Sequence, residues 1–321
     1  AIQGNIIPFL KSELHLSYGA VILHSSAFAA PGFVTGMLGD WLIRRCGRRR
    51  VLWLGALGML AGAALLCVAS AAWFSIGSCA LMGASGGLIW IIVTAVLSEL
   101  HGDRRNVALA EASAVAYAFG TVAPLVMSLC LSLALSWRNA VLVGVVFGGI
   151  ILLWFGRTPL PDAAVISTSG HASLPAPYWI YWCALTMAIA IEFCILLWAP
   201  EFLQQVVGLS ATKAAAAAAV FGLAMLTGRT AGGSLLRVIA AQRLFPLALL
   251  VTCLGFLIYW GLPRPPAAIV GLFVLGLGVA LLYPLTLGLA MGAAGTRADT
   301  ASARAALAGS FGILVTPALL G

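Results

Sequence analysis

Glu192 stands in the run Ile-Ala-Ile-Glu-Phe-Cys-Ile, near the middle of an apolar stretch from Trp179 to Leu203. An ionisable group at the centre of a bilayer costs at least about 2.5 kcal/mol on insertion scales, so each one needs a reason to be there. Glu192 could take up and release a proton, or it could be a structural group bonded to a neighbouring helix. His24, about two turns into Tyr18–Ile43, could relay a proton or sit neutral on a backbone carbonyl. Glu111 and Arg304 each lie near the end of an apolar stretch. They could pair, line a vestibule with opposite charge, or snorkel to an interface. Trp90 and Tyr283 are rings with polar handles that suit a sugar or an aromatic solute; simple packing explains them equally well. The densest cluster is the stretch 36–50, which holds Gly36, Gly39, Asp40 and Gly47 with arginines at 44, 45, 48, 49 and 50.

The elements that carry these groups are apolar. The chain of 321 residues is 62% hydrophobic and only 8% charged, with mean hydropathy +1.09. A soluble domain carries about 25% charged residues. Runs of span length recur, which predicts membrane helices, and short alternating strands that would build a β-barrel are absent. The net charge of +8 sits in loops and reads as topology, not as nucleic-acid binding. The seven cysteines show no paired spacing, which predicts buried thiols and no metal site.

Spans are expected over Tyr18–Ile43, with a bend at Pro31-Gly32, then Val51–Ser70, Trp73–Leu97, Val107–Leu133 and Trp137 to Gly156. The second half holds Trp179–Leu203, Ala211–Ile239, Leu244–Gly261, Ala267–Met291 and Thr300–Gly321. Residues 1–10 read as the tail of a helix, which makes eleven helices. Residues 157–177 have the Pro/Ser/Thr/Gly composition of a linker. Loops on the side of the basic stretch hold Arg44, Arg45, Arg48, Arg49, Arg50, Arg104, Arg105, Arg157, Arg237, Arg243 and Arg297; the opposite loops hold Lys11, Arg138, Lys213 and Arg264. Eleven against four places the basic loops and the linker in the cytoplasm.

The two halves repeat. Thr35-Gly36 matches Thr227-Gly228 at an offset of 192, and Leu16-Ser17 matches Leu209-Ser210 at 193. Gly83 matches Gly276, Phe119-Gly120 matches Phe311-Gly312, and Pro124 matches Pro317. The same offset links Glu111 to Arg304 and Trp90 to Tyr283. A constant offset across six helices implies two six-helix halves in parallel orientation. By the same register, about fifteen residues of helix 1, and helix 12, are expected to lie outside this sequence.

The basic stretch resembles the loop between helices 2 and 3 of the major facilitator superfamily, Gly-x-Leu-x-Asp-Arg/Lys-x-Gly-Arg/Lys-Arg/Lys. Here four more residues separate Asp40 from Gly47. The Trp137-Arg138 pair at the start of helix 6 is a second point of resemblance. The resemblance implies an all-α integral membrane protein of two bundles, residues 1–156 and 178–321, joined by the linker 157–177. It implies that helices 1, 4, 7 and 10 line a central cavity, which would put Glu192, Trp90 and Tyr283 on cavity helices. It also implies a cytoplasmic latch of Gly36, Asp40, Arg48 and Arg49, with Arg229 as a structural partner of that gate. The glycine–proline pattern of drug/proton antiporters is represented only by Gly120-Thr-Val-Ala-Pro124, and Gly276-Leu-Gly278 with Tyr283-Pro284 is faintly similar to sugar permeases.

These features together predict a secondary active transporter that moves a small organic solute by alternating access. Proton coupling would run through Glu192, in a monomer of a bacterial inner membrane, with no cofactor and no nucleic-acid partner. A uniporter of the same fold and a non-transporting membrane sensor or scaffold are the alternatives. An enzyme is not expected: the sequence holds no metal-ligand cluster or nucleophile–base pair. ATP-driven transport is disfavoured, because no Gly-x-x-x-x-Gly-Lys-Ser/Thr phosphate loop is present.

Overall fold

The computed structural model describes residues 2–161 and 174–314, and these are almost wholly helical. Twelve α-helices form among them. The first seven are α1 (Ile2–Glu13), α2 (Tyr18–Ala29), α3 (Pro31–Cys46), α4 (Arg48–Cys67), α5 (Ala72–His101), α6 (Arg105–Ser132) and α7 (Trp137–Phe155). The rest are α8 (Ala176–Gln205), α9 (Ala211–Val238), α10 (Ala241–Gly261), α11 (Pro265–Ala294) and α12 (Ala298–Leu314). Seven stretches among the described residues are long and apolar enough to cross a membrane. Helices suit that setting because each satisfies its own backbone hydrogen bonds. Much of the expected linker, and Pro317 of the repeat, lie outside the described residues.

The expected bend at Pro31 interrupts the helical hydrogen bonding while Ala30 keeps a helical backbone (φ −59°, ψ −39°). Proline has no N–H to donate and its ring clashes with the carbonyl four residues back. The chain therefore closes α2 with the Ala30 N–H on the Ser26 carbonyl (2.7 Å) and restarts α3 with Pro31 in its first turn. Helix α3 then runs through Arg44 and Arg45 to Cys46, past the expected end at Ile43. Gly47, at φ +81°, joins α3 to α4 in a conformation that side-chain-bearing residues rarely adopt.

The chain forms two compact units. The first comprises Ala1–Val96, Ala118–Thr168 and Ser302–Ser310. Its core joins Leu66, Cys79, Met82, Met127 and Trp137. Small residues bring its helices close: a Cβ on Gly83 of α5 would strike the Phe28 backbone carbonyl of α2. Along α3, Gly36 faces Leu307 and the Ala303 carbonyl, and Gly39 faces Ile91 and Ala303. The glycine spacing in the basic stretch thus serves close helix packing.

The second unit comprises Leu97–Tyr117, Ser169–Ala301 and Phe311–Gly321. Helix α11 is its centre, buried along most of its length from Ala268 to Ala294. Gly255 meets the backbone of Leu275, and Gly271 meets the backbone of Tyr259, which seats α10 directly on α11. Ala214 and Ala217, one helical turn apart in the alanine run, face a core with Phe221, Met225 and Leu272.

Candidate functional site

The buried charge of the second unit is organised around Arg229. This residue follows Gly228, which packs against Ala280 and Leu277 of α11, so the backbone of α9 lies close to α11 at that point. The Arg229 side chain is then carried into the interior, where the residue is 7% exposed. Its Nη2 donates to Oε2 of Glu192 on α8 at 2.7 Å. Its Nη1 donates to the Ser113 hydroxyl on α6 at 2.6 Å. The guanidinium carbon lies 4.8 Å from the ring centroid of Tyr117 and 5.4 Å from that of Tyr283. Both distances fall within the reach of a cation–π attraction. The Nε–H of Arg229 is buried and has no hydrogen-bond partner.

This arrangement changes one expectation and extends another. Arg229, expected as a structural partner of the gate, is the charge partner of Glu192. The backbone position follows the repeat, but the long side chain reaches α8 and α6. Tyr283 joins the same cluster. Ser113 and Tyr117 were not singled out from sequence. Their spacing of four residues puts them on one face of α6, which is the only sequence signal they offer.

The other expected site residues lie elsewhere. Glu111 accepts a bond from Arg237 at 2.7 Å, and both side chains are largely exposed. Arg304, in the first unit, donates from Nη1 to the Gly36 carbonyl at 3.0 Å. Each therefore has a partner of its own, where the repeat alone left a Glu111–Arg304 pair open. Trp90 is partly buried against the cluster of Ile43, Val51, Ile91 and Ile92. His24 is 1% exposed, with Nδ1 2.6 Å from the Ala20 carbonyl and Nε2 2.7 Å from the Ser75 hydroxyl. The carbonyl can only accept, so Nδ1 carries the proton of that contact, and the Ser75 hydroxyl also lies 3.0 Å from the Ala72 carbonyl.

The expected latch is also rearranged. Asp40 accepts from Arg44 at 3.1 Å and from the Trp41 N–H at 2.8 Å. An aspartate and an arginine four residues apart face one another on a helix. Helix α3 continues far enough for that to happen, because it runs through the residues expected to form the loop. Arg49 instead donates to the Gly156 carbonyl at 3.1 Å, and Arg48 is buried.

A further ion pair was not foreseen. Arg138 Nη1 lies 2.6 and 2.7 Å from the two oxygens of Glu13, and Trp137 Nε1 donates to the same carboxylate at 3.1 Å. The bond from Arg138 holds the Glu13 carboxyl below its usual range; burial opposes it, and the Trp137 bond and the Arg138 charge add to the lowering.

The chain matches the family model described as Major Facilitator Superfamily over residues 1–317. It is similar in structure to the proton:xylose symporter XylE, at a TM-score of 0.73 and 14% identity, covering 99% of this chain and 84% of that one. It is also similar to the Escherichia coli fucose:proton symporter FucP, at a TM-score of 0.75 and 16% identity, covering 100% and 88%. In sequence it is 25% identical over 175 residues to solute carrier family 2, facilitated glucose transporter member 8, of Bos taurus. That match spans 54% of this chain and 34% of the relative's length.

Proposed function

The chain belongs to the Major Facilitator Superfamily, a family of transporters and not of enzymes, and from that premise we propose that it moves a small organic solute by alternating access, with proton coupling through Glu192. It is an integral multi-pass membrane protein, as its family and its apolar helices agree. The observation that carries the proposal is the buried pair of Glu192 and Arg229, with side chains 11% and 8% exposed. A buried pair is weak evidence for stability, because desolvation offsets much of its attraction. A carboxylate that gains and loses a proton as its surroundings change gives such a pair a use. In the proposed cycle, protonation of Glu192 loosens its bond to Arg229, and deprotonation restores it. The sequence halves 1–156 and 178–321 are proposed as the two bundles, with Gly36, Asp40, Arg48 and Arg49 at the gate.

Proton symport is written into the names of XylE and FucP, which supports the reading by analogy of fold. The name of the bovine relative, a facilitated glucose transporter, favours a second reading. In that reading the chain is a uniporter and the Glu192–Arg229 pair is structural.

The experiment is reconstitution of the complete protein in liposomes that hold a pH-sensitive dye. Solutes are added from a panel of sugars, organic acids, amino acids and aromatic cations. Solute-triggered proton movement, absent in Glu192→Gln, is expected. Equilibration of a labelled solute without proton movement, unchanged in Glu192→Gln, would establish the uniporter instead.

A further inference from the structure

We propose, resting on the proton-coupled reading above, that the solute is a small organic monoanion, a monocarboxylate, and that its carboxylate exchanges with Glu192 on the guanidinium of Arg229. A guanidinium has five N–H donors and accepts nothing. In this site Nη1 serves Ser113, Nη2 serves one oxygen of Glu192, and Nε–H is buried without a partner. Nε–H and an Nη2 N–H lie side by side on one edge of the planar group. That edge is one a carboxylate grips with both oxygens. Glu192 makes a single bond to Nη2 and leaves Nε–H unmet, so a guest carboxylate on that edge can make one bond more than the resident one. It would also satisfy a buried donor that is otherwise costly to leave unmade.

Charge selects the same guest. Glu192 and Arg229 together are neutral. When Glu192 takes a proton, Arg229 is left as an uncompensated cation in a buried site, which is strongly unfavourable. A bound monoanion restores neutrality, so the proton and the anion favour each other's binding. A neutral solute does not. The groups facing the pair from the packed elements are Ser113 and Tyr117 of α6 and Tyr283 of α11. None supplies a negative charge in its ordinary protonated form, so none can substitute for the anion. The two tyrosine rings hold the guanidinium while its partner changes, and they offer apolar faces to the solute's body. The balance is simple. One proton adds to the Glu192 carboxylate, the Glu192–Arg229 ion pair opens, and one solute carboxylate pairs with Arg229. The empty and the loaded site both carry no net charge, so transport is electroneutral.

The test uses the purified full chain in detergent and then in liposomes. The probes are acetate, propionate, benzoate and phenylacetate, with benzamide and glucose as uncharged controls. Thermal melting should rise with at least one of the four anions and with neither control. Affinity for that anion should tighten about tenfold per unit fall in pH while Glu192 is ionised in the free protein, as linkage to one proton requires. Glu192→Gln should bind the anion with the dependence on pH removed. The double variant Glu192→Gln/Arg229→Gln keeps the site neutral and guards against misfolding; it should melt normally and not bind. In liposomes, acidification by that anion in excess of the passive entry of its neutral acid, measured in vesicles holding the double variant, should be unchanged when the membrane potential is clamped. A response to glucose alone, with proton movement that Glu192→Gln abolishes, would overturn the anion assignment and leave proton coupling standing. Concentrative, proton-coupled uptake retained in Glu192→Gln would overturn the coupling itself. No response to any of the four anions in either assay overturns the anion assignment.

Discussion

Arg229 and Glu192 meet through one nitrogen and one oxygen, 2.7 Å apart, in a site where neither side chain is more than 11% exposed. Taking away one member leaves the other as a buried, unpaired charge. Arg229→Gln is therefore expected to lower the stability of the second unit by about 3–5 kcal/mol. Glu192→Gln/Arg229→Gln removes both charges and should recover most of that loss. Unfolding in detergent, compared across the two single variants and the double one, checks it. Additive losses would mean that the two groups do not act as a pair.

Ser113 accepts the second bond from Arg229 at 2.6 Å. Ser113→Ala strands a donor of a charged group, which costs roughly 1–3 kcal/mol. The loss should vanish in the background of Arg229→Gln, because the donor is then gone. A double-mutant cycle on melting temperature measures the coupling, and a value near zero would count against the bond.

Glu13 and Arg138 supply a dependence on pH. The folded state holds the Glu13 carboxyl below its ordinary value of 4.5, so the stabilisation is present above that value and fades as pH falls through the lower, folded one. The Glu13 side chain is 41% exposed, which limits the effect to about 0–1 kcal/mol. Glu13→Gln should lower stability slightly at neutral pH and converge on the parent protein in acid. Melting curves between neutral pH and pH 3 follow it; equal losses at both ends would exclude the assignment.

Two glycines in one helix should respond in opposite directions. Gly83→Ala would drive a methyl group into the Phe28 backbone carbonyl, while Gly77→Ala has nothing within 4 Å to meet. The first should cost about 1–3 kcal/mol. The second should gain about 0.5–1 kcal/mol from helix propensity. Parallel unfolding of the two variants checks both, and similar values would contradict the close approach of α5 to α2.

The helices were legible because lipid leaves little choice. A backbone without water must bond to itself, so long apolar runs announce their helices, and Pro31 announces where one of them bends. Glu192 was legible for a related reason: a carboxylate within such a run is conspicuous. The repeat was visible as an offset of 192 or 193, and it put Arg229 next to Gly228, the counterpart of Gly36. A repeat does not show the direction of a long side chain, and only the fold points Arg229 at Glu192. Asp40 shows the same limit. Its partner became Arg44 once α3 extended through the stretch expected to be loop.

By itself, the sequence determined an all-helical membrane chain of two repeated halves, because hydropathy, loop charge and internal spacing are properties of the chain alone. Tertiary structure decided which polar groups meet. Glu192 and Arg229 are 37 residues apart, Ser113 lies 116 from Arg229, and Glu13 lies 125 from Arg138. Ser113 and Tyr117 are ordinary residues until α6 packs beside α9 and brings them to one guanidinium. The unpartnered Nε–H is likewise a product of packing, since burial removes water from it and no neighbouring helix supplies an acceptor. Apolar pattern selects an element locally, whereas a hydrogen bond between distant residues depends on the packing of all the elements that carry them.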